Sequence, residues 1–448
     1  MTHGPSSEAG DQTLRGGSPT WRSVVWRKLM DSYGGSFVGH SATIFVGFSL
    51  ASLLGFLFSV ASARLLRPDQ FGTMQYALAI AELAGVLVTA SPNGLSTFLS
   101  RYRASPEKAR AYYTDWLLVV GGLLALSLAA TAGVAPAAVG ITGWLLVGVL
   151  ANLLGVAALE TYREVGRGLD RYVHCSVFYI VANLLQLLAI LGAAALGHRS
   201  AELFVTIYGL ASVVTLIGMT LVSPLRISLS FRDVRWSQMR EVLRIAQPVV
   251  LQSVVFTVWF RADVVVLERL QGTLAVGEYS VAKTLTYALQ LAPSAVAFVI
   301  LPRIPMVRPA LLPDFLRRVL AVDALVIVPP IALIVVAAGP IIQLIFGSGY
   351  AGATAPLAIL ACGTGLQSFT TIFSNLWLGL GRPVVDLVTT ALGMAVTIGA
   401  TLVLIPPFGL VGAATAFTLG AGVRVAAAAL YTLATLGRVA AKVEEEPT

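Results

Sequence analysis

The chain is 448 residues long, 57% hydrophobic and only 12% charged, with a formal net charge of +8. An average soluble domain carries about 25% charged residues, so a water-exposed fold of this length is excluded, in keeping with a mean hydropathy of +0.83. The positive balance does not indicate nucleic acid, because the Lys and Arg residues lie in short segments between apolar runs and do not gather on one basic surface interleaved with aromatics.

Residues 1–37 are rich in Gly, Ser, Thr and charge and lack the apolar core and small-residue cleavage site of a signal peptide. Within them Trp21, Val25 and Leu29 recur at helical spacing beside Arg22, Arg27 and Lys28, a pattern open to two readings: a short helix at the headgroup level or a disordered tail. Apolar runs then predict membrane helices at about 38–63, 71–98, 112–134, 140–160, 173–196 and 202–222. A polar stretch over 223–244 follows, whose Val234, Met239, Val242 and Leu243 among arginines read as an amphipathic cytoplasmic linker. A second set of helices is expected at about 245–268, 273–301, 316–338, 352–378, 384–404 and 409–432, before a tail over 433–448. The fold class is an all-α integral membrane protein of about twelve transmembrane helices.

Charge supplies the orientation. With the amino terminus inside, the outer segments hold only Arg64, Arg67, Arg199 and Arg269, and the helices hold Arg261, Lys283 and Arg424; every other Lys and Arg falls on an inner segment. So regular an alternation predicts both termini in the cytoplasm. The halves also repeat weakly. Phe71-Gly72 follows Arg64-Leu65 as Val276-Gly277 follows Arg269-Leu270, and Gly168-Leu169-Asp170-Arg171 is matched by Gly379-Leu380-Gly381-Arg382. Two parallel six-helix repeats are therefore expected, as in secondary transporters.

Catalytic chemistry is poorly represented. No GxxxxGK[ST] phosphate loop occurs, His3, His40, His174 and His198 never fall at metal-ligand spacing, and Cys175 and Cys362 are far apart in apolar runs. Neither a metal nor a cofactor is expected.

Ionisable side chains inside a bilayer are costly and usually face a cavity or a partner. Glu82 lies near mid-membrane; Arg261 and Asp263 sit about 8 to 11 Å inside the outer end of their helix, and Lys283 about 14 Å inside the outer end of the next. Arg261 and Lys283 are candidates to bind an anionic headgroup, and Glu82 and Asp263 to carry a proton or sodium ion; the competing reading pairs Asp263 with Arg261 or Lys283 as a structural ion pair. Arg424 is expected to snorkel to the headgroups. Asp323 and Asp386 are expected to pair at the interface with Arg317, Arg318 and Arg382, and Asn93, Asn152, Asn183, Gln186 and Asn375 to make interhelical hydrogen bonds. Pro92-Asn93-Gly94 would bend or loosen the second helix, making Pro92 and Gly94 gating candidates.

These features together resemble the polysaccharide transporters of the multidrug/oligosaccharidyl-lipid/polysaccharide exporter superfamily, which include the Wzx-type flippases. The resemblance is carried by Ala63-Arg64-Leu65-Leu66-Arg67-Pro68-Asp69-Gln70-Phe71-Gly72, Gly168-Leu169-Asp170-Arg171-Tyr172, Pro248, Asp263 and Gly277-Glu278-Tyr279-Ser280-Val281-Ala282-Lys283. It continues in Phe346-Gly347-Ser348-Gly349-Tyr350, Gly379-Leu380-Gly381-Arg382-Pro383 and Phe408-Gly409-Leu410-Val411-Gly412-Ala413-Ala414. It implies a V-shaped pair of bundles that alternate between inward and outward openings in a bacterial cytoplasmic membrane. The implied cargo is a polyprenyl-diphosphate-linked oligosaccharide, with a polysaccharide polymerase and glycosyltransferases as partners, and the family's cationic cavity residues map onto Arg261 and Lys283. A multidrug-type exporter of the same superfamily and a non-transporting membrane scaffold are the alternatives.

Overall fold

The computed structural model describes residues 46–90, 95–102, 105–222, 236–290, 293, 304, 307 and 311–445. The amino-terminal tail over 1–37, Pro92, Asn93 and Gly94, and residues 223–235 of the linker lie outside the described residues. Those described are helical, with no strand among them. In chain order they form α1 (Val46–Leu65), α2 (Pro68–Ala90), α3 (Leu95–Arg101), α4 (Pro106–Val139), α5 (Gly143–Gly168), α6 (Tyr172–Ala195) and α7 (Ala201–Val222). There follow α8 (Trp236–Leu289), α9 (Leu312–Ile345), a 3-10 segment (Ser348–Ala353), α10 (Thr354–Gly379) and α11 (Pro383–Glu445).

Ten described helices are long and apolar enough to cross a membrane. Two of them, α8 and α11, cover ground where separate helices were expected, and each folds back on itself at a glycine. Gly272 in α8 adopts φ 81, ψ 179 and Gly409 in α11 adopts φ 53, ψ −126, conformations that a Cβ strongly disfavours. The reversal is proved by contact: Lys283 Nζ lies 2.7 Å from Asp263 Oδ2, and Arg424 Nη2 lies 2.9 Å from Asp386 Oδ1. In a straight helix rising 1.5 Å per residue those pairs would stand about 30 and 57 Å apart. Each run is therefore two antiparallel legs joined by almost no loop. The expected third and fourth helices do separate, at Gly140.

The two weak sequence repeats are structurally alike. Leu169, Asp170 and Arg171 donate to the carbonyls of Val165, Arg167 and Gly166, and Leu380, Gly381 and Arg382 donate to those of Leu376, Leu378 and Trp377. The spacings are identical, and Asp170 (φ 54) and Gly381 (φ 70) occupy the same left-handed turn. The other pair meets face to face. A side chain at Gly72 would collide with the carbonyl oxygen of Thr273, and one at Gly277 with that of Pro68. Thr273 follows Pro68, and Gly277 follows Gly72, by the same offset (273 − 68 = 277 − 72 = 205), so the contact is reciprocal, as at a two-fold axis. It lets α2 and α8 touch backbone to backbone.

This contact makes α2 an interior helix: 61% of its apolar window is buried, against 17% for α4, which turns most of its surface outward. Phe71, Met74, Tyr76 and Ala77 of α2 join Val276, Tyr279 and Ala282 of α8 in the main core. α8 packs in turn on α10 and α11, and α5 packs on α7. Nearby, Arg64 at the end of α1 donates to the terminal carbonyls of α9, Leu344 and Ile345, and Tyr350 OH donates to Ala63 O at 2.8 Å. Such bonds satisfy the orphan carbonyls of a helix end.

Candidate functional site

Arg261, on the first leg of α8, and Glu82, about four turns into α2, meet directly. The guanidinium forks onto the carboxylate, Nε to Oε2 at 2.5 Å and Nη2 to Oε1 at 2.6 Å. A planar fork on a planar two-oxygen acceptor is the strongest geometry available to an arginine, and phosphate oxygens present the same acceptors. The pair is only partly enclosed, with side chains 19% and 40% exposed.

Lys283 goes elsewhere. Its ammonium has three protons, and the structure supplies three acceptors: Asp263 Oδ1 at 2.9 Å, Asp263 Oδ2 at 2.7 Å and the Phe260 carbonyl at 2.5 Å. Tyr279 OH donates to Asp263 Oδ2 at 2.7 Å, and the Val264 amide to Oδ1 at 2.8 Å. The rings of Phe260, Tyr279 and Phe417 surround the ammonium at 5.6 to 5.9 Å from their centroids. Asp263 and Lys283 are both buried. Of the two sequence readings of Asp263, the geometry matches the ion pair, with Lys283 as the partner.

Three sequence expectations are corrected. Arg424 does not snorkel: it is 4% exposed, donates to Asp386 Oδ1 at 2.9 Å and Ser374 Oγ at 3.2 Å, and sits 5.3 Å from the Trp259 ring centroid. Asp386 therefore pairs with Arg424, not Arg382, because the fold-back at Gly409 returns α11 along its own first leg. Gln252 Nε2 completes this network, donating to Asp386 Oδ2 at 2.9 Å and Thr390 Oγ1 at 3.2 Å, while Trp259 Nε1 donates to Thr397 Oγ1 at 2.7 Å. Asp323, expected to pair with Arg317 or Arg318, is fully buried and accepts from Ser368 Oγ, while both arginines are exposed. On a helix, residues 317 and 318 lie six and five positions before 323 and so point to other faces.

A cavity of about 290 Å³ lies between α1, α5, α6 and α7. Its wall includes Ser52, Asn152, Asn183, Gln186, Tyr208 and Ser212 and no charged side chain. Gln186 makes the expected interhelical bond, to Tyr208 O at 2.9 Å, whereas Asn183 bonds within its own helix to Tyr179 O at 2.8 Å and Asn375 within its own to Thr371 O at 2.8 Å. Among the described residues no group of three His, Cys, Asp or Glu side chains could hold a metal ion.

The helical architecture and its buried ion pairs define a multi-pass integral membrane protein. Residues 62–355 match the family described as polysaccharide biosynthesis protein; this is well over half of the chain, and the chain belongs to that family. The fold is that of the MOP superfamily. It is similar to an inward-facing multidrug resistance MATE family transporter, with a TM-score of 0.70 at 16% identity over 87% of this chain and 95% of that one. It is similar to the lipid II flippase MurJ in an inward closed conformation, with 0.71 at 12% identity over 89% of both chains. An outward-facing MATE family transporter gives 0.60 at 16% identity over 90% of this chain and 95% of that one. No curated protein sequence matches.

Proposed function

We propose that the protein is a flippase that carries a polyprenyl-diphosphate-linked oligosaccharide across the bacterial cytoplasmic membrane by alternating access between two six-helix lobes, 38–222 and 245–432, joined by a cytoplasmic linker. The observation that carries this reading is the Glu82–Arg261 fork, which joins α2 to α8 across the two halves. A carboxylate there occupies the seat that a phosphate would take. In the resting state Glu82 spares Arg261 an unpaired charge in the bilayer. When a lipid diphosphate enters, its oxygens replace Glu82 on the guanidinium, the link between α2 and α8 is released, and the halves rearrange. The uncharged cavity beside Tyr208 offers amide and hydroxyl partners to sugar residues next to the diphosphate, while the lipid tail stays in the bilayer.

The cargo's chemistry gives Arg261 the direct role. Lys283, with all three protons committed to Asp263 and Phe260, acts as a structural cation that holds the two legs of α8 together. Uphill movement draws on an ion gradient, since the sequence has no phosphate loop for ATP. The resting conformation is read as inward-facing, supported by the higher TM-score to the inward-facing MATE transporter (0.70) than to the outward-facing one (0.60) at the same identity.

The test is complementation of a deletion strain. Without the protein, undecaprenyl-linked oligosaccharide is expected to accumulate on the inner leaflet and surface polysaccharide to fall. Arg261→Ala should fail to restore export, with at least a tenfold deficit at equal protein level. Full restoration by Arg261→Ala, or unchanged polysaccharide with altered drug resistance, would overturn the reading and favour the multidrug exporter.

A further inference from the structure

The intramembrane carboxylates Glu82, Asp263, Asp386, Glu160 and Glu164 each face a cation: Arg261, Lys283, Arg424, and the Arg163 and Arg167 side chains. Asp323 does not. It sits about 17 Å along α9 from Leu312 at 1.5 Å per residue, deep in the span. Its relative exposure is 0%. One oxygen accepts from the Ser368 hydroxyl of α10, and Oδ1 has no partner at all.

Among the described residues, the helices packed on α9 bring no compensating charge. α10 contains no Asp, Glu, Lys, Arg or His between Thr354 and Gly379, and its Cys362 is exposed. On α8, Arg261, Asp263 and Lys283 are spent in their own pairs, Glu278 accepts from the Gly352 amide, Arg240 is exposed near the start of the helix, and Glu268 and Arg269 lie by the turn at Gly272, Arg269 exposed. On α11, Arg424 and Asp386 hold each other. On α9 itself, Asp314, Arg317 and Arg318 are exposed and lie at least five residues away. The surroundings are apolar: Leu316 and Val319 of α9 pack with Ile372, Phe373 and Leu376 of α10.

An isolated carboxylate in such a place cannot remain charged and unpaired; it must bind a cation. A sodium ion needs several oxygen ligands to replace its hydration shell, and here there is one carboxylate and one hydroxyl already donating to it. A proton needs only the free Oδ1. We propose that Asp323 is the proton-binding site of the transport cycle: it holds a proton in the conformation described and releases it when α9 and α10 separate enough to admit water, so that cargo movement is coupled to the proton gradient. The proposal rests on the flippase reading for its cargo, but the protonation itself does not. Nothing covalent changes beyond one O–H bond, formed with a proton from one side of the membrane and broken to the other. Glu82 and Asp263, the candidates from sequence, are already neutralised by their cations and have no need of an ion.

The experiment has two readouts on the full chain in phosphatidylethanolamine/phosphatidylglycerol bilayers. Infrared difference spectra of the wild type at neutral pH should contain a protonated-carboxyl C=O band that disappears in Asp323→Asn and shifts in Ser368→Ala. In proteoliposomes with undecaprenyl-diphosphate-linked oligosaccharide, a gradient of one pH unit supports up to about tenfold asymmetry between leaflets for one proton per cargo; in Asp323→Asn the ratio should fall to about one while exchange without a gradient continues. A carboxyl band unchanged in Asp323→Asn overturns the proposal, as does a gradient response that survives the substitution. If the band belongs to Asp323 and the lipid does not move, the proton site stands and the cargo reading falls. If the lipid moves and Asp323→Asn keeps its response, the cargo reading stands and the proton site falls.

Discussion

Replacing Lys283 by Met separates a structural cation from a substrate-binding one. The substitution keeps the length and apolar stem of the side chain and removes only the ammonium, so the packing against Phe260, Tyr279 and Phe417 is largely retained. Left behind is the Asp263 carboxylate, at 0% exposure, with the Tyr279 hydroxyl and the Val264 amide as its remaining donors. Removing one partner of a buried pair costs about 3–5 kcal/mol, because the other charge stays buried without compensation. At about 2 °C per kcal/mol for a unit of 150–250 residues, the melting temperature should fall by at least about 6 °C. The measurement is thermal unfolding of the detergent-solubilised protein, followed by size-exclusion fluorescence. Adding Asp263→Asn keeps an acceptor for Tyr279 and removes the stranded charge, so the double variant should recover more than half of the loss. A Lys283→Met protein that melts like the wild type yet no longer exports polysaccharide would refute this reasoning and return Lys283 to the headgroup.

Alanine at Gly72 or at Gly277 pushes a Cβ into a facing carbonyl; each should cost about 1–3 kcal/mol by overpacking, seen as a lower melting temperature and as weaker crosslinking between cysteines placed on α2 and α8 beside the contact. Glu82→Gln leaves Arg261 without its anion, so undecaprenyl phosphate, used as the probe, should bind about tenfold more tightly, the equivalent of about 1.4 kcal/mol; unchanged affinity would count against Glu82 as the resident anion. Trp259→Phe removes the bond to Thr397 and should cost about 0.5–1.5 kcal/mol, whereas Arg424→Met should cost more because it strands Asp386 beside Gln252 and Ser374.

What could be read in the sequence was whatever depends on one helix at a time. Apolar length marked the spans, and Gly72 and Gly277 stood out as matching positions of the weak repeat, though not as the point where α2 and α8 meet. Even the legs of α8 and α11 were separable by pattern, though not the turn that joins them, since nothing in a run such as Leu270-Gln271-Gly272-Thr273 distinguishes a one-glycine reversal from a short loop. Arg424 and Asp386 were misassigned for a different reason. In a soluble helix the apolar face reveals which side is buried; in a membrane helix every face is apolar, so the azimuth of a lone charge has no signal. Partners such as Gln252, whose acceptor Asp386 is 134 residues on, follow only from the way α8 packs on α11. Asp323 was misread by proximity, because Arg317 and Arg318 are near in sequence and far around the helix.

The three deep ion pairs differ in what must move to break them. Lys283 and Asp263 lie on opposite legs of α8, closed by the tight turn at Gly272. Arg424 and Asp386 lie on opposite legs of α11, closed at Gly409. Separating either pair means prying open a helical hairpin whose legs share a packed core. Glu82 and Arg261 belong to different halves of the chain, on α2 and α8, which also meet backbone to backbone at Gly72 and Gly277 and share the main core. A rigid-body rotation of one half against the other therefore breaks this pair and leaves the other two intact. In the proposed cycle the anion of an entering cargo competes for this pair, and in doing so it loosens one of the links between the halves, alongside those that Arg64 and Tyr350 make to Ile345 O and Ala63 O.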